Sequence, residues 1–251
     1  MAMLIVPLIA NAICVKNEPN WLWNYEGSIG SKYRVRMTLI FSGRNVNGVY
    51  FYANELKDIQ LQGRIINGVD IILDELNATG KAVARFEGKF LEHDDIHRRF
   101  GSNKLECEII VGSWHKLNSN KIQSVDLSID SGTFGTLTNR YSIAGAQDDS
   151  LIHQNALLFW NAVKRKDKRT VASLILYPIA VGISNGTKLI NSPNELITNY
   201  NAIFSPRYRK AIVNALPRNM FVRDQGVMLG NGEVWFNSNG KIIGSLGYPV
   251  K

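Results

Sequence analysis

From Arg34 to Leu39 polar and apolar residues alternate one for one, with Val35, Met37 and Leu39 set against Arg34, Arg36 and Thr38. A period of two belongs to a strand with one face buried. Short β-branched and aromatic runs recur at Gly48–Tyr52, Ile59–Ile65, Val69–Leu73, Ala82–Phe90, Glu106–Val111 and Ser124–Ile129, separated by Gly and Asn-Gly turns. Asn47-Gly48 and Asn67-Gly68 signal hairpins, because a type I′ turn needs positive φ at both central residues. Together these features predict an all-β antiparallel sandwich or small barrel over residues 20–141.

The pattern changes after residue 148. Leu151, Ile152, Ala156, Phe159, Trp160 and Val163 recur at helical spacing, behind the capping residues Asp148-Asp149-Ser150. A second helix is expected over Lys168–Leu174, followed by strands at Ile179–Ile183 and Lys188–Ile190. Ser192-Pro193-Asn194-Glu195 is a capping box with Pro at the first helical position. A further helical stretch covers Arg207–Leu216. Strands at Met220–Arg223, Gly226–Leu229, Glu233–Asn237 and Lys241–Leu246 then close an α+β domain over 148–251. Ser142–Gln147, rich in small residues, suits a linker between the halves.

Charge divides along the same line. Residues 1–148 carry 16 basic and 16 acidic side chains, whereas residues 149–251 carry 13 and 5, so the whole net charge of +8 sits in the second half. Met1–Ala12 is uncharged and mostly apolar and ends in Ala10-Asn11-Ala12, the small-x-small pattern of a signal-peptide cleavage site; residues 1–12 therefore read as a signal-peptide remnant and the protein as exported to the periplasm. Ile13 before Cys14 departs from a lipobox, which speaks against lipid anchoring. In an oxidising compartment Cys14 and Cys107 either pair as a disulfide or stay as two separate thiols.

The second half resembles the NTF2-like superfamily, a bent antiparallel sheet wrapped around helices into a cone. The resemblance rests on element order and on Phe159–Val163, Leu176-Tyr177-Pro178, Ser192–Leu196 and Gly226–Phe236. It implies a pocket in which Trp160, Tyr177, Tyr200 and Trp235 are lining candidates, and a homodimer through the open sheet face. Catalytic members place a His, Asp or Tyr in the cone; here His153 and Asp224 are the nearest candidates, each with an ordinary structural role as its alternative. Tyr25–Gly30, followed by Val35–Leu39 and Gly48–Tyr52, looks like a small exported bacterial β-module, a likeness that names no activity.

No catalytic residue, metal or cofactor is implied. G-x-S-x-G, P-loop and G-x-G-x-x-G motifs do not occur. His93 and His97 stand four apart, but Arg98-Arg99 follows at once and the segment lies between strand patterns, so it reads as a polar loop. What remains is a basic patch: Lys164, Arg165, Lys166, Lys168, Arg169, Arg207, Arg209 and Lys210. Such a patch steers an acidic protein or anionic surface, its ordinary alternative being a solubilising helix end and loop; in an exported chain nucleic acid is set aside. The expected function is a periplasmic protein-interaction module, an immunity or inhibitor protein that neutralises a secreted, envelope-targeting toxin. A small-ligand-binding or enzymatic cone and a binder of the anionic envelope surface are the alternatives.

Overall fold

The computed structural model describes residues 19–91, 108–184, 186–244 and 246–247. The leader at residues 1–12, Cys14, Cys107, His93 and His97 lie outside the described residues. The chain divides into two compact units, Met1–Gly132 and Thr133–Lys251.

In the first unit eight strands follow one another: β1 (Trp21–Ile29), β2 (Tyr33–Ser42), β3 (Asn45–Tyr52), β4 (Ile59–Ile66), β5 (Asp70–Leu76), β6 (Ala82–Leu91), β7 (Ile109–Lys116) and β8 (Ile122–Phe134). Neighbours in sequence pair antiparallel and the sheet closes into a barrel. The Gly30 N–H donates to the Ser124 carbonyl at 2.7 Å, and the Asn24 amide donates to Ser131 Oγ at 3.2 Å, which ties β1 to β8. The expected fold class therefore needs correction: the described residues of this unit form one closed barrel rather than two facing sheets. Closure pairs the two strands that a sandwich would leave as edges.

The reason is a set of glycines at inward positions. Alternate residues such as Tyr25, Met37, Leu39, Leu61, Leu73, Phe86 and Leu127 fill the interior. Gly27, Gly48, Gly63, Gly88 and Gly112 occupy the same inward parity. A methyl at Gly27 or Gly63 would stand 1.9 Å from a neighbouring strand's carbonyl oxygen, and at Gly112 2.1 Å. Only glycine lets the strands coil this tightly, as small barrels require. Tyr50 and Phe86 meet edge to face at 5.2 Å, and the void lined by Met37, Leu73, Phe86 and Val125 measures about 10 Å³. That is barely the room one water needs, so this stretch of the barrel is packed core. Most charged residues of the strands point outward, as in the Arg34–Glu26 pair at 2.8 Å and the Arg85–Asp74 pair at 2.7 Å; Glu75 is an exception. Apolar-in and charged-out is the reverse of a barrel that spans a bilayer. No helix among the described residues is long and apolar enough to cross a membrane.

The second unit contains helices α1 (Asp149–Arg165), α2 (Lys168–Ser173), α3 (Pro193–Ile203) and α4 (Pro206–Asn214). Its strands are β9 (Ile179–Ile183), β10 (Gly186–Ile190), β11 (Phe221–Arg223), β12 (Gly226–Leu229), β13 (Val234–Phe236) and β14 (Ile242–Gly244). The expected NTF2-like cone is overturned. Among the described residues β9 and β10 form a two-stranded sheet, while β11–β14 form a separate four-stranded meander. Isolated parallel bridges, Ile175 to Ile242 and Val181 to Leu246, join the two groups. Strands of three or four residues, ended by turns at Gly230 (φ +67°) and Gly240 (φ +67°), are too short to bend into one wrapping sheet. The homodimer expectation rested on that cone and loses its basis with it.

The core between helices and meander is aromatic: Phe159 lies 6.1 Å from Phe236 and 6.3 Å from Phe204. The stretch expected as a linker packs into this unit. Tyr141 is fully buried, Ser142–Ala144 form a 3-10 turn, and the Arg140 and Tyr141 N–H groups donate to Asp149 at 2.6 and 3.0 Å.

Candidate binding site

The basic residues lie at the end of α1, at the start of α2 and along the first turns of α4. Lys164, Arg165 and Lys166 end α1, where cations suit the helix dipole. Lys166 caps the helix at φ +59°, its N–H donating to the Ala162 and Val163 carbonyls. Asp167 caps α2, accepting from the Thr170 hydroxyl at 2.6 Å and its N–H at 3.1 Å. Those bonds hold its carboxyl below the ordinary value. Lys164, Arg165, Lys166, Arg169, Arg207 and Lys210 are exposed; Lys168 and Arg209 are half-buried.

Aromatic side chains organise the cations. Lys164 Nζ stands 4.8 Å from the Trp160 ring centroid, and Trp160 Nε1 donates to the Val213 carbonyl at 3.1 Å, fastening α4 to α1. Lys168 Nζ stands 5.6 Å from the Tyr200 ring, which stacks on Phe204 at 4.5 Å. Tyr200 is only 1% exposed. Burial raises its hydroxyl pKa, while the Arg209 charge lowers it and the Asp167 charge raises it. The Tyr200 hydroxyl and Arg209 Nε are both buried and neither has a hydrogen-bond partner.

Of the four aromatic lining candidates, the structure brings Trp160 and Tyr200 into this cluster. The Tyr177 hydroxyl is engaged by the Ala172 carbonyl at 3.0 Å, near the C-terminal end of α2. Trp235 lies between the fully buried Val234 and Phe236 on β13, and strand alternation turns it to the opposite face of the meander.

The two acid–base candidates are occupied structurally. His153 Nε2 accepts from the Tyr141 hydroxyl at 2.8 Å and from the Asn219 N–H at 3.2 Å, while the same hydroxyl accepts from the Met220 N–H at 2.9 Å. A backbone N–H can only donate, so Nε2 is held as an acceptor and ties α1 to the approach of β11. Asp224 is exposed and accepts from the N–H of Gln225, its neighbour in the β11–β12 turn.

The sequence reading missed one inward carboxylate in the barrel. Glu75 follows Ile71 and Leu73 at inward parity on β5, and its Oε2 accepts from the Tyr50 hydroxyl at 2.6 Å and from Trp114 Nε1 at 3.2 Å. Burial, reinforced by Glu75, pushes the Tyr50 hydroxyl far up, so it stays a donor. An acid standing in an apolar alternation was the available signal. Both Glu75 bonds are made from within the barrel, so the group reads as a brace across β3, β5 and β7. Among the described residues no three His, Cys, Asp or Glu side chains converge as metal ligands. Compared with known proteins, the chain matches no family model, no curated protein and no solved structure.

Proposed function

We propose that this chain is an exported interaction protein whose second unit docks on an acidic protein, as an inhibitor or immunity protein docks on a secreted, envelope-targeting toxin. The observation that carries the reading is the segregation of charge. Thr133–Lys251 holds 14 basic and 6 acidic residues, net +8, and the barrel unit holds 15 of each. A one-sided charge of this size steers association and selects partners of opposite sign without any chemistry. Further support comes from His153, Asp224 and Glu75, each bound into a structural role, and from the packed stretch of the barrel interior. Export is the part of the reading that rests on Met1–Ala12.

The test is affinity capture from periplasmic and secreted fractions at low and high salt, with Arg207→Glu/Lys210→Glu run beside the wild type. The expected result is an acidic protein retained stoichiometrically by the wild type, released by salt, and lost by the double variant. Equal retention by both, or retention of nothing, rejects the reading.

A further inference from the structure

We infer that Tyr200, Arg209 and Lys168 form a site for a phosphate-class oxyanion at the junction of α2, α3 and α4. A buried donor without an acceptor is costly, and native proteins seldom keep one without a reason. The Tyr200 hydroxyl and Arg209 Nε are two such buried atoms. Arg209 acts on the Tyr200 hydroxyl electrostatically, and Lys168 Nζ stands 5.6 Å from the same ring.

The chemistry of the occupant follows from the donors. A guanidinium and an ammonium only donate, so the ligand must accept, and a surplus of positive charge requires that it be an anion. Asp167, the nearest acid acting on Tyr200, has its oxygens engaged by Thr170 and does not complete the set. The donors arrive from three helices, Lys168 from α2, Tyr200 from α3 and Arg209 from α4. A tetrahedral oxyanion offers acceptors in that many directions, whereas a carboxylate offers them in one plane. Lys168 and Arg209 are half-buried, so solvent reaches the two cations although Tyr200 itself is buried. The site goes beyond the docking reading and stands without it, because it concerns the protein alone.

The test uses the purified full chain in phosphate and in chloride at equal ionic strength. With inorganic phosphate about tenfold above its Kd, the melting temperature rises by about 5 °C over chloride. Tyr200→Phe melts no lower than wild type in chloride, since it removes a hydroxyl that bonds to nothing, and it loses the phosphate-dependent rise. In ³¹P NMR the wild type broadens the phosphate resonance and Tyr200→Phe does not. Sedimentation with vesicles containing phosphatidic acid, against neutral vesicles, separates a lipid headgroup from free phosphate as the source. No phosphate-specific rise, or a rise that survives in Tyr200→Phe, overturns the site. So does a Tyr200→Phe that melts lower in chloride with no phosphate effect in either protein; a bridging water then fills the gap. None of these outcomes bears on capture of an acidic protein, so the two proposals fail separately.

Discussion

At the scale of single residues, the barrel depends on atoms that are missing. Gly63 leaves its inward position empty because the Ile72 carbonyl oxygen occupies the place of a Cβ, 1.9 Å away, and that oxygen belongs to the backbone and cannot swing aside. Gly63→Ala must part β4 from β5, and we expect a loss of about 3 kcal/mol, at the upper end of overpacking costs, measured as a fall in the urea midpoint with an unchanged slope. Glu75 is the converse case, a polar group whose removal strands others. Glu75→Ala leaves the Tyr50 hydroxyl and Trp114 Nε1 without their acceptor, at an expected cost of about 2 kcal/mol. Adding Tyr50→Phe removes one stranded donor, so the double variant should recover part of that loss in the same titration; full additivity would show that Glu75 braces nothing.

At the scale of elements, helix starts carry most of the local information. Ser192 Oγ accepts from the Glu195 N–H at 3.3 Å, and Glu195 reaches back to the Asn191 N–H at 2.9 Å, one residue earlier than the usual reciprocal bond. Ser192→Ala should cost about 1 kcal/mol, read by thermal unfolding. Asp148 caps α1 by accepting from the Ser150 hydroxyl and N–H, and these bonds lower its pKa from the ordinary 3.8. A depressed folded-state pKa contributes stability that is present above 3.8 and lost as pH falls through the folded value. Asp148→Ala should therefore melt below wild type at neutral pH, with the gap closing in acid below the ordinary carboxylate range; a gap independent of pH would place the effect elsewhere. Caps, Asn-Gly turns and the period of two are local signals, which is why these helices and strands were legible in the sequence. Their pairing was not. Closure of β1 on β8 joins residues such as Asn24 and Ser131, more than a hundred positions apart, through glycines that look like ordinary turn residues one at a time. The likeness to a cone followed element order, and order leaves open whether β9–β10 and β11–β14 share a sheet. Tyr200, Lys168 and Arg209 were each legible, the first as a pocket aromatic and the others as patch cations. That they meet depends on the packing of α2, α3 and α4, which no spacing along the chain expresses.

At the scale of the molecule, the two units differ sharply in net charge. The barrel unit, with 15 basic and 15 acidic residues, exerts little net field at a distance, so a charged partner feels almost only the +8 of Thr133–Lys251. If the second unit docks on an acidic protein as proposed, the association rate should therefore track charges in that unit alone. Arg207 and Lys210 are exposed, and reversing both changes that unit's charge by four without touching the core. We expect Arg207→Glu/Lys210→Glu to slow association about tenfold at low salt. The deficit should shrink as ionic strength rises and the Debye length falls from about 30 Å at 0.01 M to about 8 Å at physiological salt. Lys57 and Lys121, exposed on the barrel unit, supply the matching reversal; Lys57→Glu/Lys121→Glu should leave the rate within about twofold, because salt screens any charge that does not face the partner. Stopped-flow measurement across a salt series reads both. Equal slowing by the two double variants would mean that the partner is steered by total charge and that the barrel's neutrality has no part in recognition.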